Sequence, residues 1–197
     1  LLKEKFGNHK GLEIHNRDIL EYTLNQVSLK DTIVFGNLPY NISTQILVKF
    51  ISLKIWPPFY KKIIFMFQKE VADRILASNN TREYGRISVL ANFRLEMLQS
   101  FKVSKNCFFP KPLVDSKIIV FKPKIKLKHK IHDIKNLEKI TNIFFSNKRK
   151  MINKPLSKVF KEHKDIAKQL NLNMNSRPSE LSGDDYFRLT ELYEKFN

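Results

Sequence analysis

The feature that most constrains the fold is a short apolar segment at residues 31–35, followed at once by Gly-Asn-Leu-Pro-Tyr. A β-branched, nearly continuous apolar run of this length is typical of a strand buried on both faces of a parallel sheet. Pro39 has no amide hydrogen for ladder pairing, so the strand must end before it. Ser43 or Thr44 can then cap a helix that runs to about Leu53. The segment therefore predicts a strand–turn–helix unit, the repeating element of an α/β fold.

Strand-like and helix-like patterns alternate through the earlier part of the chain. Residues 11–16 alternate apolar and polar side chains and are followed by Arg17 and Asp18, which predicts a strand with Asp18 at its carboxyl end. Residues 1–6 are predicted to end a helix, and residues 19–29 to be helical or irregular. The remaining predictions are strands at 62–67, 98–103 and 117–121 and helices at 70–77 and 87–93. Together they predict an open, mostly parallel α/β sheet whose last two strands form an antiparallel edge hairpin.

The pattern changes after Pro123. Residues 117–164 contain 15 Lys and Arg but only 3 Asp and Glu. Apolar residues recur at helical spacing at positions 134, 137, 140, 143 and 144. Pro155 is predicted to start or interrupt a helix, and Ser182 to cap the last one. We therefore predict two domains: the α/β sheet at residues 1–126 and a small all-helical domain at residues 127–197.

The net charge of +17 on 197 residues favours a polyanionic partner. Nucleic acid is the first candidate and an acidic membrane surface the second. No apolar run approaches the roughly 20 residues that span a bilayer, so no membrane-spanning segment is predicted, and nucleic acid is preferred to a membrane as the partner. The single cysteine, Cys107, cannot form an intramolecular disulfide, which fits a reducing cytoplasm. Cys107 is predicted to be a small buried residue and not a reactive thiol. No metal site is predicted.

The turn at residues 37–40 has a specific chemical use. The amino nitrogen of adenine is a poor nucleophile because its lone pair is delocalised into the ring. The side-chain carbonyl of Asn37 and the backbone carbonyl of Leu38 can accept hydrogen bonds from its two N–H groups and favour a more tetrahedral nitrogen. Pro39 aims that carbonyl in advance, and Tyr40 offers a flat face to an unstacked purine. The simpler alternative is a turn that only closes a strand, although ligands of open α/β sheets do gather at the carboxyl ends of strands.

Five segments of the sequence, in order along the chain, form a set of motifs that belong together. The first is Val-Phe-Gly-Asn-Leu-Pro-Tyr-Asn-Ile-Ser-Thr at residues 34–44. The others are Phe-Gln-Lys-Glu-Val-Ala-Asp-Arg at 67–74, Tyr-Gly-Arg-Ile-Ser-Val at 84–89, Phe-Phe-Pro-Lys-Pro-Leu-Val-Asp-Ser at 108–116 and Phe-Phe-Ser-Asn-Lys-Arg-Lys at 144–150. Together these segments resemble, in the same order, the small-subunit ribosomal RNA adenine N6,N6-dimethyltransferases, and the resemblance covers nearly the whole chain.

The resemblance implies a class I, Rossmann-like methyltransferase that uses S-adenosylmethionine to dimethylate two adjacent adenosines near the 3′ end of small-subunit rRNA during ribosome assembly. It implies that Asp18 holds the cofactor adenine, that Ile19 lines its pocket, and that Asn37 touches both cofactor and target. Phe108 would stack on the target base opposite Tyr40. A basic helix carrying Lys148, Arg149 and Lys150 would contact RNA. Three ordinary alternatives stay open: Asp18 as a helix cap, Phe108 as core, and the basic run as a solvated face.

The family's Glu-x-Gly-x-Gly cofactor loop, and the acidic residue that grips the cofactor ribose, have no counterpart in this sequence. The family's strand order is 3-2-1-4-5-7-6, and residues 11–16 would be strand 3. We therefore expect the chain to be the later part of a longer protein. Its sheet would be interrupted, because strands 1 and 2 are missing. We also expect the 197 residues alone to bind S-adenosylmethionine weakly or not at all, which calorimetric titration would measure.

Two rival functions remain. The related large-subunit rRNA methyltransferases that confer macrolide resistance usually have Ile where this chain has Leu38. A non-catalytic RNA- or DNA-binding assembly or transcription factor on the same fold would not need the Asn37 turn. The predicted partner is small-subunit rRNA or a pre-30S particle, and the chain is predicted to be a cytoplasmic monomer.

Overall fold

The computed structural model describes residues 2–7, 9–24 and 31–196. The sheet region has the strands β1 (Thr32–Asn37), β2 (Tyr60–Gln68), β3 (Leu95–Val103) and β4 (Ser116–Pro123). Its helices are α1 (Leu2–Phe6), α2 (Ser43–Ile51), α3 (Lys69–Leu76) and α4 (Arg86–Arg94). Four more helices follow: α5 (Ile134–Phe145), α6 (Asn153–Val159), α7 (His163–Gln169) and α8 (Gly183–Phe196). None of the helices in these ranges is long and apolar enough to cross a membrane.

The four strands lie side by side in the order β1-β2-β4-β3. β1 and β2 are parallel, with Val34 opposite Ile63, and β4 is antiparallel to both β2 and β3. The predicted edge hairpin is therefore confirmed. The order corresponds to the 4-5-7-6 part of the expected sheet. Only one of the three pairings is parallel, so within the described chain the sheet is not mostly parallel.

The predicted strand at residues 11–16 is wrong, because these residues have no regular structure. A strand needs a neighbour to satisfy its amide and carbonyl groups, and β2 is the only strand paired with β1 among the described residues. Residues 19–24 form irregular turns, which agrees with the irregular and not the helical alternative predicted for residues 19–29. The rest of that predicted segment, residues 25–29, lies outside the described residues.

Burial of β1 on both faces is also wrong. Val34 packs against the core, whereas Ile33 is 41% exposed and Phe35 is 73% exposed. In β2 the fully buried side chains likewise alternate, at Ile63, Phe65 and Phe67. The buried side chains of α2, α3 and α4 join the same core cluster as these residues, so the helices cover one face of the sheet and leave the other face of β1 in solvent.

Two of the predicted helix caps have different outcomes. Ser43 does not cap α2, because the N-cap position is Ile42 and the Ser43 hydroxyl instead donates to the Tyr40 carbonyl at 3.2 Å. Ser182 does cap α8: its Oγ accepts from the Asp185 amide at 3.2 Å, and its own amide donates to the Asp185 carboxylate at 2.9 Å. This reciprocal pair satisfies two backbone donors at the start of the helix.

The C-terminal helices share one apolar core with the sheet region. Phe93 of α4 lies 5.0 Å, between ring centroids, from Phe187 of α8. Phe144 of α5 and Tyr186 of α8 pack edge to face at 5.6 Å. Before α5, the buried His129 ring lies between two carboxylates of α8, with Nε2 at 2.8 Å from Asp184 and Nδ1 at 3.0 Å from Glu191.

Candidate active site

β1 places the Asn37-to-Tyr40 turn at the end of the sheet where the parallel strands β1 and β2 have their carboxyl ends. Asn37 is the last residue of the strand and pairs with Met66 of β2. Asn37 and Pro39 are exposed, while Leu38 and Tyr40 are half-buried. The turn closes through a hydrogen bond of 3.2 Å from the Ile42 amide to the Pro39 carbonyl. Among the described residues the Asn37 side-chain amide has no protein hydrogen-bond partner, so its carbonyl oxygen is available to an incoming group.

Gly36 allows this turn to lie close against the sheet. A Cβ atom at this position would come within 2.6 Å of Leu38 Cδ2 and 2.7 Å of Phe65 Cδ1. Both distances are far below van der Waals contact, and the Phe65 ring is fully buried and has no room to move away. A side chain at residue 36 would therefore displace Leu38, whose backbone carbonyl is one of the two predicted acceptors.

The Tyr40 ring is tethered to a second strand. Its hydroxyl is 2.8 Å from the Oγ of Ser116, the first residue of β4, which is fully buried. Ser116 pairs with Gln68 at the end of β2 and with Val103 at the end of β3. This hydrogen bond therefore orients the Tyr40 ring at the place where the ends of β2 and β3 meet the start of β4.

Asp115 connects the loop that carries Phe108 to this junction of β2, β3 and β4. Its side chain accepts a hydrogen bond of 3.0 Å from the Lys105 amide, and its carbonyl accepts one of 2.9 Å from the Lys69 amide. Lys105 begins a short 3-10 turn that ends at Cys107, directly before Phe108. The Phe108 side chain is half-buried. The structure therefore brings the Phe108 loop and Tyr40 to one edge of the sheet through the consecutive residues Asp115 and Ser116. The expectation that Cys107 is buried is wrong, because it is exposed.

A charged network holds α3 against β4 beside this junction. The Asp73 carboxylate accepts hydrogen bonds from Lys117 and from Lys69, the latter at 2.8 Å. These two bonds, from Lys117 above all, lower the pKa of Asp73. The carboxylate is therefore ionised at neutral pH, where it holds Lys117, the neighbour of Ser116, in place.

Asp18 and Ile19 lie in a turn beside α2. The Asp18 carboxylate accepts the Leu20 amide at 2.8 Å, and its carbonyl accepts the Tyr22 amide at 2.9 Å. Lys49 of α2 donates to the Leu20 carbonyl at 2.5 Å, and Ile19 packs partly against the core. No described hydrogen bond joins Asp18 or Ile19 to Asn37. Asp18 thus makes the local cap-like bond that was one of its two interpretations, and the residue is exposed to solvent.

The basic run is not on a helix, which corrects the expectation for Lys148, Arg149 and Lys150. α5 ends at Phe145, and residues 146–150 form turns. The Lys148 ammonium donates to the Arg82 and Tyr84 carbonyls, at 2.5 and 2.6 Å, because the chain folds back onto the loop before α4. Burial lowers the pKa of Lys148, and it holds two segments together, whereas Arg149 and Lys150 are exposed.

Sequence reasoning missed Asp115 and Ser116 as parts of this site. Both stand inside a motif that was identified, but no local pattern indicates that Ser116 lies against Tyr40. The relevant clue was a polar Asp-Ser pair immediately before a buried strand. Such a pair is a candidate for a contact at the end of the sheet.

We expect the Tyr40–Ser116 hydrogen bond to act on catalysis through the ring of Tyr40. Ser116→Ala should lower methyl transfer about 2- to 13-fold, because a neutral hydrogen bond contributes roughly 0.5–1.5 kcal/mol. Tyr40→Phe should have the same effect, and the double variant should be no worse than either single one. Steady-state kinetics of the four proteins, each preceded by a segment that carries a Glu-x-Gly-x-Gly cofactor loop, measures this coupling; additive losses would show that the two groups act independently.

The strand order, together with an exposed Asn-Leu-Pro-Tyr turn at the carboxyl end of β1, defines the class of protein: a class I methyltransferase sheet. The family model "Ribosomal RNA adenine dimethylase" matches residues 1–195, and the chain belongs to this family.

Relatives and solved structures agree with this placement. The chain is 45% identical over 195 residues to ribosomal RNA small subunit methyltransferase A of Pelagibacter ubique, covering 98% of this chain and 73% of the relative. The protein of the same name from Mycoplasma capricolum is 35% identical over 199 residues, with 98% and 73% covered. A crystal structure of a dimethyladenosine transferase from Plasmodium falciparum superposes with a TM-score of 0.78 at 23% identity, covering 98% and 77% of the two chains. The 23S rRNA methyltransferase ErmE superposes with a TM-score of 0.63 at 20% identity, with 98% and 76% covered, and both structures support the fold alone.

Proposed function

We propose that the chain belongs to an enzyme that dimethylates N6 of two adjacent adenosines near the 3′ end of small-subunit rRNA during ribosome biogenesis. The observation that carries the proposal is the exposed Asn37 amide, with no protein partner among the described residues, at the carboxyl end of β1. The relatives named ribosomal RNA small subunit methyltransferase A support the choice of substrate.

In the proposed mechanism the turn binds the amino group of an unstacked adenine. The Asn37 side-chain carbonyl and the Leu38 backbone carbonyl accept hydrogen bonds from its two N–H groups, which directs the nitrogen lone pair away from the ring plane. Pro39 fixes the backbone, so little reorganisation is needed during the reaction. The Tyr40 ring, tethered to Ser116, stacks on one face of the purine and Phe108 on the other.

We further propose S-adenosylmethionine as the methyl donor. The residues present fit part of a site for it: the exposed Asn37 amide, the free oxygen of Asp18 and the partly buried Ile19. None of the five glycines stands in a Glu-x-Gly-x-Gly pattern, so the glycine-rich-loop side of the cofactor site is not supplied by these 197 residues. The cofactor would provide the electrophilic methyl group, while Asn37 would position the nitrogen that receives it.

We propose that the RNA lies against the exposed basic residues that follow α5. Arg149 and Lys150 are exposed and would contact phosphates, and Lys148 would hold their turn in place. We propose that residues 1–126 carry the chemistry and residues 127–197 assist RNA binding. The proposed partner is small-subunit rRNA or a pre-30S particle, bound by a monomer in the cytoplasm.

The test uses a fusion protein in which a segment carrying the family's glycine-rich loop precedes residue 1. It is incubated with S-adenosylmethionine and with each ribosomal subunit from cells that lack these methyl groups. Primer extension should stop at two adjacent adenosines of the small-subunit rRNA and should show no new stop in the large-subunit rRNA. Stops only in the large subunit would favour the macrolide-resistance type. RNA binding without methylation would favour a non-catalytic assembly or transcription factor.

A further inference from the structure

The loop that leads from the 3-10 turn to β4 presents unusually exposed apolar side chains. Phe109 is fully exposed, and Leu113 is 91% exposed. A fully exposed Phe gains nothing from burial in the chain itself, and exposed apolar groups that cluster at one point mark contact sites. This loop, residues 105–114, leads through Asp115 to Ser116, which contacts Tyr40 of the catalytic turn.

Phe108 and Phe109 face opposite ways. The backbone at Phe108 is extended, with φ −117° and ψ 148°, and successive side chains of an extended segment point to opposite sides. Phe108 is accordingly half-buried, while the Phe109 ring stands in solvent. Two adjacent aromatic rings can therefore engage two different partners.

The loop is both basic and anchored. It contains Lys105 and Lys111 and no acidic residue. The Lys105 amide is bound to the Asp115 side chain at 3.0 Å, and the Lys105 ammonium lies 3.4 Å from the Leu113 carbonyl, which joins the two ends of the loop. Lys111, near the tip, is exposed. An exposed aromatic ring beside a lysine, on a loop whose two ends are joined, is an arrangement by which proteins bind single-stranded nucleic acid.

We propose that Phe109 stacks on an unpaired RNA base next to the target adenosine, while Lys111 contacts the neighbouring phosphate. The inference rests on the proposed function, because it assumes that RNA approaches the Asn37 turn. The Phe109 ring would hold the RNA strand on the outer side of the loop while the target base moves toward Phe108 and Tyr40. RNA is favoured over a membrane as the partner because the loop is joined to the catalytic turn, where the substrate must pass.

The 197-residue chain itself is suited to the test, with fluorescence anisotropy of a labelled single-stranded oligoadenylate as the readout. Phe109→Ala should weaken binding about 5- to 150-fold, the range that corresponds to one stacked base. Phe109→Tyr should restore binding to within about twofold, because it keeps the ring. Ile55→Ala is the matched control: Ile55 is 74% exposed but lies before the start of β2, at the opposite edge of the sheet, so its removal should have no effect.

Equal affinity of Phe109→Ala and the parent chain would overturn the proposal. It would also be overturned if Phe109→Ala lost binding to phosphatidylserine vesicles while keeping its RNA affinity, since the loop would then be a membrane contact. RNA binding that depends on Phe109, in a protein whose fusion form methylates no rRNA, would support this inference and count against the proposed function. If the fusion protein methylates rRNA but Phe109→Ala does not change the RNA affinity, the proposed function would be supported and this inference would be wrong.

Discussion

Replacement of Asn37 by Ala in the fusion protein should lower methyl transfer about 100- to 1,000-fold, the usual effect of removing one preorganised hydrogen-bonding group from a reacting centre. The amide is exposed and has no protein partner among the described residues, so its acceptor oxygen is available for the proposed contact with the incoming amino group and makes no contact that the fold needs. RNA affinity should stay nearly unchanged, because the aromatic and basic contacts remain. Single-turnover methylation and anisotropy binding measure the two quantities separately.

Two controls sharpen this experiment. Asn37→Asp keeps an acceptor oxygen at the same position and should retain more activity than Asn37→Ala. The free energy of unfolding of Asn37→Ala should lie within about 0.5 kcal/mol of the parent value, as for other exposed positions. If RNA affinity and methyl transfer fell together, Asn37 would be part of the RNA-binding surface and the proposed role would be wrong.

The largest loss of stability is expected from Arg94→Ala. Arg94 ends α4 and is only 5% exposed, and its Nη1 donates to the carbonyls of Ile51 and Leu53 at 2.6 and 2.8 Å. Its guanidinium lies 4.6 Å from the centre of the Trp56 ring. Burial lowers the pKa of Arg94, yet an arginine stays charged at neutral pH. Removing the side chain leaves two carbonyls without their donor and opens a cavity.

Each unsatisfied buried acceptor costs about 1–3 kcal/mol, so Arg94→Ala should lower the free energy of unfolding by about 3–4 kcal/mol. For a chain of this size the midpoint of thermal unfolding should fall by roughly 10 °C. Arg94→Lys keeps the charge but lacks the guanidinium fork, and it should lose an intermediate amount. Arg74→Ala removes an exposed arginine paired with Glu70 and should cost less than about 1 kcal/mol. A thermal midpoint of Arg94→Ala within about 3 °C of the parent would contradict this account.

Local sequence patterns were sufficient for much of the sheet and for the family. The apolar segment before Asn37, the late pair of strands and the helix that Ser182 caps were predicted because each depends on neighbouring residues. The prediction failed at residues 11–16, where the pattern was strand-like but the described sheet offers no partner. It failed again for the exposed face of β1, because burial depends on what covers a strand.

The sequence by itself determined the strand–turn–helix unit around Asn37 and the order of motifs that places the chain in its family, since a motif is a property of consecutive residues. Only the tertiary structure decided which groups support that turn. Tyr40 and Ser116 are 76 positions apart, and Lys148 reaches carbonyls 66 and 64 positions away. Such contacts form when the strands and helices assemble, and no local periodicity encodes them.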